Sequence, residues 1–114
     1  MAKHVRMQEL WIGMVEVRPL YGDHQILGNA KGAFVNIVTW ASDKDEFKNK
    51  AELIIEKLGG LFVSEVLDPE SVEARMGRTG NGFVDDIEDM IFRAQDNPNA
   101  IIYGTFHMFK NDDA

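Results

Sequence analysis

Polar and apolar side chains alternate along residues 10–18, LWIGMVEVR. Trp11, Val15 and Val17 point one way, and Met14, Glu16 and Arg18 the other. A period of two predicts a strand with one face on a core. The same period returns in residues 33–41, AFVNIVTWA, with Val35 and Ile37 on one side and Phe34, Asn36, Val38 and Trp40 on the other. Between them runs PLYGDHQILGNAKG, a turn-rich stretch of about fourteen residues. That exceeds a hairpin turn and is a length associated with function or mobility.

At Ser42 the period changes. Phe47, Ala51, Ile54, Ile55 and Leu58 form a single helical stripe. The Ser42 hydroxyl is placed to cap a backbone N–H near Asp45, while Asp43, Asp45 and Glu46 suit the positive end of the helix dipole. Gly59-Gly60 supplies the left-handed conformation that ends a helix. Residues 61–67, LFVSEVL, read as a third strand, and DPESVEARM as one or two helical turns with Pro69 at the first helical position. GRTGNGF, residues 77–83, reads as a connecting loop. Val84, Ile87, Met90, Ile91 and Ala94 mark a second long helix, stopped near Asn97-Pro98. AIIYGTFHMFK then predicts one long last strand. Its alternation places Ile102, Phe106 and Met108 on one side and Tyr103, Thr105, His107 and Phe109 on the other.

The order β-β-α-β-α-β predicts one α+β domain over residues 1–114, a two-layer sandwich of a four-stranded sheet with two helices on one face. Both helices are expected to cross back by right-handed connections, which leaves the other sheet face open. The order resembles that of ferredoxin-like sandwiches in architecture, except that the second element is a strand where those have a helix.

Composition narrows the function classes. With 114 residues the chain can bury one core, and 45% hydrophobic against 27% charged residues exclude a disordered chain. Cysteine is absent, which removes disulfides, thiolate nucleophiles and Cys-ligated metals and fits a cytoplasmic protein. MAKHVRMQEL lacks the apolar stretch of a signal peptide, and no run approaches the roughly 18 apolar residues of a membrane span, so a soluble protein is expected. The net charge of −7 is uneven: residues 1–35 hold four Lys/Arg against three Asp/Glu, and residues 36–114 eight against sixteen. Such a surface repels a phosphate backbone and argues against nucleic acid. It either keeps the protein soluble or steers a basic protein partner.

The motifs are weighed in the same way. GRTGNGF lacks the spacing and lysine of a Walker loop, and its glycine order is not that of a dinucleotide loop. Asp85, Asp86, Glu88 and Asp89 crowd the helix start behind it, with only Arg75 and Arg78 to oppose them, so a phosphate is disfavoured. Those acids lie on a helix and do not converge on a cation. His4, His24 and His107 have no metal-ligand spacing, and His24 beside Asp23 reads as surface loop. No metal, cofactor or catalytic residue is assigned. Strand alternation gathers Glu16, Arg18, Asn36, Trp40, Tyr103 and His107 on the open face as a candidate ligand site. A partner surface is expected at Asp85, Asp86 and Asp89 with the aromatics Trp40, Tyr103 and Phe109.

Three functions compete. The leading one is a non-enzymatic module that docks on a basic protein, an inhibitor or immunity-type protein being one form. The second is a small enzyme or ligand-binding domain with His107 as acid/base, Glu16 orienting it and Arg18 holding an anion. The third is a homo-oligomer, the simplest case a homodimer through the open face.

Overall fold

The two alternating segments pair with each other. In the computed structural model, which describes residues 8–79 and 87–110, β1 (Glu9–Pro19) and β2 (Gly32–Ala41) run antiparallel, in unbroken register from Glu9 opposite Ala41 to Val17 opposite Ala33. β3 (Leu61–Ser71) lies antiparallel on the other side of β1. β4 (Ile101–Tyr103) and β5 (His107–Phe109) both lie antiparallel to β2. The order is β3-β1-β2-β4, with β5 continuing along β2. Among the described residues three helices complete the α+β fold: α1 (Lys44–Leu58), α2 (Val72–Thr79) and α3 (Ile87–Gln95).

α1 follows the predicted stripe, and its start is sharper than expected. Asp43, rather than Ser42, is the N-cap: its carboxylate accepts the Glu46 N–H at 2.9 Å. Glu46 reaches back to accept the Ser42 N–H at 2.6 Å, a reciprocal cap that satisfies two otherwise orphaned donors. That Ser42 N–H holds the Glu46 carboxyl below its ordinary value near 4.5. Desolvation opposes the shift, and the Ser42 side chain, Gln8 and Lys50 reinforce it. At the far end Gly59 (φ 83°) and Gly60 (φ 71°) take the left-handed backbone that ends the helix.

The expectation that both long helices cover one sheet face is corrected. Phe47, Ala51 and Ile55 of α1 pack on the face that carries Val15, Val17, Ala33, Val35 and Ile37, closed at the loop end by Leu27, Ala30 and Leu61. α2 and α3 pack on the opposite face, where Val72, Ile87, Met90 and Ala94 enclose Ile12 and Val38. The reason is strand direction. β2 and β3 both run antiparallel to β1, hence parallel to each other, so α1 makes a parallel crossover of the kind to which the handedness rule applies. β4 runs antiparallel to β2 and therefore to β3. The β3-to-β4 connection is not such a crossover, and its helices are free to cover the apolar end of the other face.

Two further differences matter for the site. Pro69 is not the start of a helix but lies within β3, next to Asp68 at φ 47°. β3 is an edge strand, where a missing N–H is tolerated. The single long last strand is also corrected to two short ones. Tyr103 sits opposite Ile37 and His107 opposite Phe34, four residues along one chain against three along the other. One extra residue reverses which side chains face which way.

Candidate functional site

The residues expected on the open face are only partly brought together. Glu16 and Arg18 stand two apart on β1, and the Glu16 carboxylate accepts from Arg18 Nε at 2.8 Å and Nη2 at 2.6 Å. The Arg18 guanidinium lies 5.3 Å from the Phe109 ring centre, and Phe109 packs on Phe34 at 5.2 Å between centroids. Strand pairing puts His107 beside Phe34 on this same face, exposed. Glu16 is thus committed to an ion pair, and no cleft described here is lined by both Glu16 and His107.

Three side chains of the expected sets depart from the open, exposed arrangement. Asn36 is buried, at 6% exposure, and Phe109 at 8% is sheet packing rather than an exposed aromatic. Tyr103 is turned by the extra residue to the α1 side of the sheet, against Phe106 at 5.8 Å. Asp89 is exposed on α3 and pairs with Arg93 at 3.0 Å. Asp85 and Asp86 and the side chain of Arg78 lie outside the described residues, as does GRTGNGF from Gly80 onward; its first residue, Gly77, belongs to α2 rather than to a loop.

His24 has a structural role. Its Nδ1 accepts the Ile26 N–H at 3.0 Å, which leaves Nε2 as the protonated nitrogen that donates to Gly59 O at 2.7 Å. The ring hooks the long loop to the end of α1 while Leu27 plugs the core. Among the described residues no cluster of His, Asp or Glu is gathered as a metal site, and no helix is long and apolar enough to cross a membrane.

Trp40 leads to a different place. It stands on β2 opposite Leu10, and its indole N–H donates to Ala94 O in the last turn of α3 at 2.8 Å. The ring is thereby fixed as the floor of a groove of about 520 Å³ between α2 and α3. Leu10 and Trp40 form the floor, Val72 and Met76 one wall, and Ile91 the other. Glu9 and Glu73 stand in the lining with Gln8 and Gln95, and no Lys or Arg is among the described lining residues. Arg75 of α2 is turned to β3 instead, where it pairs with the Glu70 carboxylate and donates to Asp68 O at 3.1 Å. The groove is therefore apolar inside and acidic at its rim.

Of the candidate site residues expected from sequence, Trp40 alone among the described ones lines this groove. Val72 and Met76, four apart in DPESVEARM, carried a helical signal for one wall. Nothing local linked them to Leu10 or Ile91, because the three meet only through sheet order. The chain has no significant match to any protein-family model, curated protein or solved structure.

Proposed function

We propose that this chain is a non-enzymatic protein-binding module that docks, through the Trp40 groove, on a partner presenting an apolar segment flanked by Lys or Arg. The observation that carries the reading is the pairing of an apolar groove with a rim that, among the described residues, holds Glu9 and Glu73 and no cation. An apolar side chain entering such a groove gains about 1.5–3 kcal/mol from burial. The carboxylates add selectivity and association rate, which screen with salt. The net charge of −7 acts in the same sense over longer range. Inhibition of a basic enzyme or toxin, the immunity-type role, is one form of this activity, and a toxin-like neighbouring gene would favour it.

The test is site-resolved capture in the native host. A photo-cross-linking residue is placed at Met76, 44% exposed in the groove, and separately at Leu53, 48% exposed on α1, as control. The expected result is one defined partner captured from Met76 and not from Leu53, with yield falling when Glu73→Lys is added or salt is raised. Equal capture from both positions, or none from Met76, would refute the docking role of the groove.

A further inference from the structure

We infer that the segment of the partner that fills the Trp40 groove is an amphipathic helix, not an extended strand; this rests on the docking role proposed above. The argument is one of backbone hydrogen bonding. Both walls are helices, Val72 and Met76 lying one turn apart on α2 and Ile91 and Gln95 one turn apart on α3. Helical walls spend most of their N–H and C=O groups along their own axes, and of the end groups the Ala74 N–H is met by Ser71 Oγ and Ala94 O by the Trp40 indole. The floor has few to offer either: Leu10 pairs with Trp40, Trp40 O accepts from Lys50 Nζ, and the adjoining Thr39 and Trp11 pair with Ile101 and Ser71. The one side-chain donor of Trp40 is committed to Ala94 O.

An extended segment entering this groove would bury a row of backbone polar groups, with the side chains of Gln8, Glu9, Glu73 and Gln95 at the rim to meet a few of them and none described on the apolar floor. A helix arrives with its own backbone already satisfied, and so needs from the groove only apolar contact. Length agrees with this. Eight residues in α2 and nine in α3, at about 1.5 Å each, give walls of roughly 12–14 Å, enough for two to three turns of a third helix. Its apolar side chains would recur at i, i+3 or i+4 and i+7, with Lys or Arg beside them facing Glu9 and Glu73. Met76 is an adaptable wall that tolerates different anchor shapes.

The experiment is a selection from a displayed library of random 16-residue peptides on the full chain, counter-selected on its Met76→Lys variant. The expected winners carry apolar residues at helical spacing with Lys or Arg on the flanks. Synthetic copies should gain helicity on adding the protein, and should bind at least tenfold more weakly to Met76→Lys or when a central residue is replaced by proline. Winners with alternating, strand-like patterns, or with affinity indifferent to the central proline, overturn the helical inference and leave the docking role standing. If no peptide prefers the native chain over Met76→Lys, the docking role falls as well.

Discussion

Gly13 is where the seating of α1 on the sheet can be tested most directly. A Cβ at this position would lie 2.8 Å from both Cε1 and Cζ of Phe47 and 3.2 Å from the Cα of Pro69, where ordinary contact begins near 3.4 Å. Phe47 is fully buried, so its ring has little room to retreat, and on the second side the obstacle is backbone. Gly13→Ala is therefore an overpacking substitution, expected to cost about 1–3 kcal/mol. That is a fall in Tm of about 4 °C per kcal/mol for a chain of this size. The measurement is urea unfolding followed by circular dichroism, at unchanged m-value. Phe47→Leu alone removes buried ring and costs roughly 1–2 kcal/mol. It also makes space for the new methyl, so the double variant should be more stable than the sum of the two losses by about 1 kcal/mol or more. A Gly13→Ala protein as stable as the native one, or strict additivity in the cycle, would show that Phe47 does not press on this strand.

Other perturbations follow from the same contacts. Asp43→Ala removes the α1 N-cap and should cost about 1 kcal/mol, with Asp43→Asn retaining most of it; equal unfolding midpoints for the two variants would contradict the cap. Glu46 has its carboxyl held below the ordinary value by the Ser42 N–H, so the unfolded chain binds its proton more readily than the folded one. Its stabilisation is complete above about pH 4.5 and is lost as pH falls through the lower folded value. Glu46→Gln should flatten the pH dependence of stability below about pH 5, and an unchanged slope would argue against this linkage. His24→Ala removes two hydrogen bonds that hook the long loop to α1, about 1–2 kcal/mol together. Amide exchange at Ile26 and Gly28 should rise before that of the strands; uniform exchange across the variant would mean that the loop does not open separately.

The elements legible in the chain were those built from local chemistry. The strip from Phe47 to Leu58, with acids at its start and two glycines at its end, names a helix without reference to anything distant, and α1 has those bounds to within two residues. The alternation in 10–18 and 33–41 likewise needed only a period of two. Misreadings arose where a local signal was ambiguous. Pro69 suits a helix start as well as an edge strand, and the difference lies in whether β1 pairs with it. Along 100–110 the alternation looks continuous, yet one additional residue between Tyr103 and His107 turns the two onto opposite faces. Tyr103 left the expected ligand set for that reason, and among the described residues of the expected partner set Trp40 alone lines the groove.

By itself, then, the sequence determined the α+β class, two of the strands nearly whole, the main helix with its stop, and a net charge of −7. Each of these follows from spacing, capping or composition, which act within a few residues or not in space at all. Only the tertiary structure decided which face each helix covers and where the acidic rim meets an apolar floor. Strand direction and register are set by pairing between residues far apart in the chain, and a single step in register exchanges the two faces of a sheet. The groove exists because β4 runs antiparallel to β3, which lets α2 and α3 settle over Ile12, Val38 and Trp40 on the face that α1 leaves uncovered.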